Sequence, residues 1–251
     1  MMTDAIERHG WILALAGSLG VWWVIGAVLQ PSYLPTPGAV AQELVAGMAD
    51  GGLRTAWLAT LLHWLRGFAV AAGLGVFLGL LLGLLPVVGE AASPLVSFLR
   101  TLPGIAVLPL IVLLVGLNPM AISTVVVFSA VWFVLLNALE GVRTVPETLA
   151  ETAAVYHVTG WRRVLRVIIP AAVPQIATGC KIALGLGLVV CVSAELVIGM
   201  HGLGAYVARS QASLQVPRAY AGVIAAAVTG LLALQAGTAL ERRFVHWGSD
   251  R

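Results

Sequence analysis

The sequence predicts an all-α protein that crosses a membrane six times. Three observations predict it: a shortage of charge, uncharged runs of membrane-crossing length, and an uneven placement of arginine between them. Of 251 residues, 60% are hydrophobic and 10% charged, and the mean hydropathy is +0.99. A water-facing domain carries about a quarter charged residues. A chain so poor in charge needs a lipid solvent, and in lipid the backbone must satisfy itself, which helices do. The 28 glycines suit helices that pack closely there.

The spans follow from the uncharged runs. Trp11 to Leu29 is the first, and Gly67 to Gly89 the second. Thr101 to Leu139 is too long for one span of about 20 residues and is divided at Asn118-Pro119 into the third and fourth. The fifth runs from Ala171 to Ile198, interrupted by Lys181 and Glu195, and the sixth from Ala219 to Leu240. The first run exceeds the apolar core of a signal peptide and no small-x-small site follows before Gln30-Pro31, so it is expected to stay as an anchor. Pro103 and Pro109 are expected to kink the third span.

Arginine sets the orientation. With the N-terminus inside, one side collects Arg8, Arg100, Arg143, Arg162, Arg163, Arg166, Lys181, Arg242, Arg243 and Arg251. The other collects Arg54, Arg66, Arg209 and Arg218. That bias places both termini in the cytoplasm. The net charge of +3 is spread along the chain and makes no case for a nucleic-acid partner. Cys180 and Cys191, on one helix, would lie about 16 Å apart, too far for a disulfide, and read as small packing residues.

The longest cytoplasmic loop, 144–170, reads as two short helices. Thr144 is placed to cap the first, Pro146 to occupy its first turn, and Glu147 and Glu151 to favour its positive end. Leu149, Ala153 and Tyr156 share one side, and Gly160 offers a break. Trp161, Val164, Leu165 and Ile168 share a face of the second helix, with Arg162 and Arg166 on another, and Pro170 is expected to end it. By itself this is an amphipathic loop resting on anionic lipid.

The same loop resembles the EAA loop of type I ABC importer permeases, in which Glu-Ala-Ala, three residues, Gly and nine residues precede Ile-x-Leu-Pro. Anchored on Pro170, the family Glu falls on Glu151, the alanines on Thr152 and Ala153, and the Gly on His157. Trp161 matches a frequent aromatic position. Four further stretches are similar to one subfamily: Tyr33-Leu-Pro-Thr-Pro-Gly-Ala-Val40, Phe98 to Pro109, Ala194-Glu195 with Gly202-Leu-Gly204, and Glu241-Arg-Arg243 with Trp247. That subfamily serves nitrate, sulfonate, taurine and bicarbonate, and some members are tied to thiamine-precursor pyrimidines.

The resemblance implies the type I ABC importer permease fold in a bacterial inner membrane. It also implies a pore formed with a second permease copy, identical or related, and a periplasmic substrate-binding protein that carries much of the selectivity. Two copies of a separate ABC ATPase subunit would bind ATP and Mg, so this chain needs no cofactor. Glu151, Thr152, Ala153, Tyr156, His157, Gly160, Trp161 and Arg162 would form the coupling helix and its turn, seated in a groove of that ATPase. The expected division is an anchor and outer segment over 1–54, a transport domain over 55–241 and a tail over 242–251. His157 is bulky for a position that favours positive φ. A tolerated surface His is the plainer reading, and a titrating one that makes coupling pH-sensitive the sharper.

Polar groups inside apolar spans are the candidates for a translocation path, because hydrocarbon penalises them. Glu195 stands out as a carboxylate well inside a span. It is able to gate, to bind a cationic group of substrate, or to pair with a neighbour and hold the outer end together; the last is preferred. Asn118, Ser123 and Ser193 are further candidates, with Ser129 and Asn137 weaker. His63 and Arg66 share a face at the outer start of the second span, as interfacial anchors or as attractors of an anion.

No Gly-x-x-x-x-Gly-Lys-Ser/Thr occurs, since Lys181 stands in Thr-Gly-Cys-Lys-Ile. No Gly-x-Ser-x-Gly or His-Glu-x-x-His occurs either, so neither ATP hydrolysis nor another enzymatic reaction is expected of the chain. An ion-coupled secondary transporter is the main alternative, but internal repeats or several intramembrane carboxylates would be expected of one. A membrane scaffold would have no use for a coupling loop.

Overall fold

The computed structural model describes residues 2–28 and 33–244. Gln30-Pro31, Trp247 and Arg251 lie outside the described residues. Among those described there is no strand. The helices are α1 (Met2–Val28), α2 (Pro37–Ala49), α3 (Gly52–Leu84), α4 (Pro86–Thr101), α5 (Gly104–Val115) and α6 (Pro119–Arg143). After these come α7 (Glu147–Val155), α8 (Gly160–Arg163), a π turn (Val164–Ile168), α9 (Ile169–Ile198), α10 (Leu203–Ala212) and α11 (Val216–Phe244).

Among the described residues, four helical stretches have the length and apolar character to cross a membrane: Gly52–Leu84, Pro119–Arg143, Gly160–Ile198 and Val216–Arg243. The α4–α5 pair would make a fifth, bent by 94° at its break. The apolar part of α1, Ala16–Val28, is shorter.

The expected break at Asn118-Pro119 is present. Asn118 caps α6, its Oδ1 accepting from the N–H groups of Met120 (2.8 Å) and Ala121 (3.2 Å). Pro103 sits at the α4–α5 bend, where it drives Leu102 out of helical geometry (ψ 121).

The second span differs from the expectation. Its helix begins at Gly52, fifteen residues before the uncharged run, and stops at Leu84 because Pro86 follows. Charge misplaced this boundary. Arg54 and Arg66 point outward and leave the backbone ladder untouched. Helices α2 and α10 were not anticipated as elements; Thr36 caps α2, its Oγ1 accepting from Ala39 N–H at 3.3 Å, with Pro37 in the first turn.

The bundle is built around α6, which lies between α3 and α9. Gly67, Ala71, Gly75, Gly79 and Gly83 recur every four residues along α3, a seam of small residues against α6. A Cβ on Gly67 would come 2.7 Å from the Ser123 carbonyl, and one on Gly75 would come 2.7 Å from Val134. The two backbones are in near contact, which larger side chains would forbid. Trp64, Leu108, Ile122, Val125, Val126 and Leu188 fill the neighbouring core. By contrast α1 packs on α2 and stands at the edge.

Candidate functional site

Two regions carry the residues of interest, one at each end of the bundle. At the first, α6 ends at Arg143 and Thr144 belongs to that end: its Oγ1 donates to the Glu140 carbonyl at 2.9 Å. This corrects the expectation that Thr144 caps the next helix. Pro146 stands just outside α7 rather than in its first turn, and Glu147 opens the helix where a carboxylate suits the dipole. Glu151 and Thr152 are exposed, while Ala153 is turned inward. Leu149, Ala153, Val158, Val167 and Pro170 line a hollow of about 410 Å³ between α7 and the start of α9.

The end of α7 explains its sequence. Val158 N–H donates to the Ala153 carbonyl (2.7 Å) and His157 N–H to that of Ala154 (3.0 Å). Those are the two bonds of a Schellman cap, with His157 at the position that takes the left-handed conformation. His157 has φ +54. Glycine holds such a φ without penalty, whereas a residue with a Cβ loses about 1 kcal/mol or more. Gly160, the first residue of α8, has a positive φ as well (+56). Val155, Tyr156 and Trp161 are each more than 70% exposed around these turns, and Arg162 and Arg163 are exposed beside them.

Pro170 does not end the second short helix, contrary to expectation. From Gly160 to Ile198 the chain is one helical rod of 39 residues. A proline inside an α-helix lacks an N–H and crowds the carbonyl four residues back. The π turn over Val164–Ile168 absorbs this, Ile169 N–H reaching back five residues to Val164. The exposed turn at Gly160 is thus continuous with the helix that ends near Glu195.

Glu195 organises the second region. It is fully buried. Its Oε2 accepts from Thr60 Oγ1 (2.7 Å) and Gly204 N–H (3.2 Å), and its Oε1 lies 2.9 Å from His63 Nδ1. Cys191 Sγ, one turn back on α9, lies 3.7 Å from Oε1. Thr60 Oγ1 in turn accepts from Leu203 N–H at 2.8 Å. One carboxylate therefore joins α3, α9 and the start of α10. The fit is close: Gly202, at φ +120, leaves no room for a Cβ beside the carboxylate.

His63 is 5% exposed and faces this cluster, whereas Arg66 is exposed. They do not form the joint interfacial anchor expected of them, because His63 is turned into the bundle toward Glu195 while Arg66, one turn on, is exposed. The other candidates are dispersed. Asn118 caps α6, its Nδ2 donating to the Val115 carbonyl. Ser123 Oγ donates to the His63 carbonyl (3.0 Å), and the half-buried Ser193 to that of Val189 (2.8 Å). Sequence reasoning missed Thr60, His63 and Cys191 as partners of Glu195. The findable signal was spacing: Thr60 and His63 are three apart and Cys191 and Glu195 four apart, each pair on one helical face.

Among the described residues, no three His, Cys, Asp or Glu side chains gather into a metal-binding group. Residues 72–246 match the family described as the binding-protein-dependent transport system inner membrane component. The chain belongs to that family, the type I ABC importer permeases. This permease is 30% identical over 246 residues to the putative aliphatic sulfonates transport permease protein SsuC of Bacillus subtilis, covering 96% of this chain and 89% of the relative. It is 32% identical to the bicarbonate transport system permease protein CmpB of Synechococcus elongatus, covering 80% and 77%. It is 29% identical to the taurine transport system permease protein TauC of Escherichia coli, covering 94% and 88%.

In fold, the permease is similar to a chain of the MetNI methionine ABC transporter in an inward-facing conformation. The TM-score is 0.63 at 19% identity, covering 74% of this chain and 94% of that one. The permease is a multi-pass membrane component for import, and the ATPase of such transporters is a separate subunit.

Proposed function

We propose that this permease forms, with a second identical or related copy, the path by which a small anionic solute of the sulfonate, taurine, nitrate or bicarbonate type crosses the bacterial inner membrane. In this reading the chain crosses six times with both termini in the cytoplasm. Residues 1–54 are the anchor and outer segment, 55–241 the transport domain and 242–251 the tail. A periplasmic binding protein delivers the solute, and two copies of a separate ATPase subunit, which bind ATP and Mg, drive it.

The observation that carries the reading is the α7 region. A nine-residue helix ends in a rigid turn and presents Val155, Tyr156 and Trp161 to the outside of the bundle. Large apolar side chains gathered on a short exposed element suit a protein groove. Glu151, Thr152, Ala153, Tyr156, His157, Gly160, Trp161 and Arg162 then make up the coupling surface. The continuous rod from Gly160 to Ile198 supports transmission, since a push at the turn moves the far end of the same helix. The solute class rests on the relatives' names. Asn118, Ser123, Ser193 and Glu195 remain the candidates along the path, with Glu195 given the task of holding the outer end of the bundle together.

The test is association. The tagged chain is expressed with its genomic neighbours, and the intact detergent complex is weighed by native mass spectrometry. Two permease copies with two ATPase subunits are expected, and Glu151→Arg with Trp161→Ala abolishes the association while the chain still folds. A chain that purifies with no ATPase in any detergent overturns the reading in favour of an ion-coupled secondary transporter.

A further inference from the structure

Among the described residues, two other than glycine hold a positive φ: His157 (+54) and Leu214 (+55). Leu214 sits in the turn between α10 and α11. Its N–H donates to the Gln211 carbonyl (3.0 Å), and Gln215 N–H donates to that of Ser210 (2.9 Å). These are again the two bonds of a Schellman cap, with a side chain where glycine is favoured. The left-handed conformation is rarer for a bulky aliphatic residue than for histidine.

Nothing in its own chain compensates Leu214 for that strain. It is 85% exposed. An apolar contact often accompanies such a cap, but the two positions that would make it hold Ser210 and Gln215. Gln211, Ala212, Ser213 and Gln215 are exposed around it.

Lipid does not account for the leucine either. Trp22 packs against Tyr220 (ring centroids 6.2 Å), and the Tyr220 hydroxyl donates to the Tyr33 carbonyl (3.3 Å). Aromatic residues gathered in this way mark the boundary between membrane and water. From Tyr220 back to Val216, where α11 begins, is a further rise of about 6 Å. The turn lies beyond that. Arg218, in between, donates to the Tyr206 hydroxyl (3.0 Å) and to Gln215 Oε1 (3.2 Å). Leu214 thus stands in water, both apolar and strained. Strain kept where the chain itself gains nothing points to a contact made with another molecule.

The side of the membrane selects the partner. This end is opposite the α7 surface given to the ATPase, and the family is one whose transport depends on a binding protein. Arg54 and Arg209 are exposed here against one exposed carboxylate among the described residues, Asp50.

We propose that the 211–215 turn is a docking knob for the extracytoplasmic binding protein. Leu214 enters an apolar pocket on that protein, Gln211 and Gln215 bond at the rim, and the surrounding surface of the partner is acidic. Because the cap holds the turn in shape beforehand, docking does not have to order it. The inference rests on the importer reading of the chain.

The test uses the intact transporter, permease and ATPase expressed together and placed in nanodiscs. It is titrated with the purified binding protein encoded beside them, and Kd is read by interferometry. Leu214→Asp should weaken binding about tenfold or more, as loss of a central apolar anchor does. Leu214→Gly relieves the strain and removes the knob, so it should weaken binding several-fold while the thermal midpoint holds or rises. A merely structural leucine would not separate the two readings. With p-benzoylphenylalanine at position 214, irradiation should join the permease to the binding protein.

Should Leu214→Asp fail to fold, Leu214→Gly and the photocrosslink decide. Unchanged Kd in the variants, with normal binding by the wild type, overturns the docking knob and leaves the importer reading standing. A crosslink to lipid or to a second permease copy in place of the binding protein does the same. A wild-type preparation that holds no ATPase and binds no binding protein overturns both.

Discussion

The two ends of this permease are built on opposite principles. Around Glu195 every polar group is buried and partnered, and α3, α9 and α10 are tied by one carboxylate. Around α7 the apolar groups are turned outward and the helix touches little besides the start of the α9 rod. The first end is satisfied within one chain, whereas the second turns Val155, Tyr156 and Trp161 away from the bundle. In a low-dielectric bundle an unpartnered carboxylate is expensive, so Glu195 is worth keeping only where its partners are held rigidly. A docking surface has the opposite requirement, since it must leave its contacts unmade until the partner arrives.

Substitutions can break or sharpen that contrast. Glu195→Ala should have the largest effect on the fold. It removes the acceptor of Thr60, His63 and Gly204 together, and the loss should be about 3 kcal/mol or more, read as a lower thermal midpoint in detergent. Glu195→Gln keeps an acceptor oxygen and the volume, so it should lose clearly less. If the two variants lost the same amount, packing rather than the charge would hold that end.

Gly202→Ala comes next. It adds a methyl where the carboxylate lies and where φ is +120, for an expected loss of about 2 kcal/mol in the same measurement. A neutral result would show that the 199–204 turn is free to move away from Glu195.

At the other end the effects should be smaller and of opposite sign. His157→Gly relieves the left-handed strain at the Schellman cap and should stabilise the α7 turn by about 1 kcal/mol. Slower amide exchange at Val158, whose N–H closes the cap, is the readout. Faster exchange would mean that the imidazole makes a contact worth more than the strain.

Trp161→Ala should alter the thermal midpoint least, by less than about 0.5 kcal/mol, because the side chain is 71% exposed. It should nevertheless weaken retention of the ATPase on an affinity column. A large loss of stability with retention unchanged would place Trp161 in the bundle rather than on the docking surface.

Much of this was legible in the chain because lipid imposes simple demands. Composition alone requires helices, Asn118-Pro119 requires a break, and the spacing from Glu151 to Pro170 marks the exposed loop with its reversal at 157–160. Such features are local, each resting on the residues within a turn or two. Charge was a poorer guide to helix ends. Arg54 and Arg66 lie within α3 because a side chain that reaches outward does not interrupt a backbone ladder.

Pro170 misled for a related reason. A proline forbids an α-helical bond, but it does not forbid a π turn that moves the bond by one residue. By itself, then, the sequence determined a membrane-embedded α bundle, the break before α6 and the place of the exposed 144–170 loop, all consequences of local chemistry and of solvent. Only the tertiary structure decided that Glu195 meets Thr60 and His63, more than 130 residues away. Partnership across the bundle depends on which faces α3 and α9 turn toward each other, and the glycine seam on α3 and the packing of α6 between those helices set that rotation.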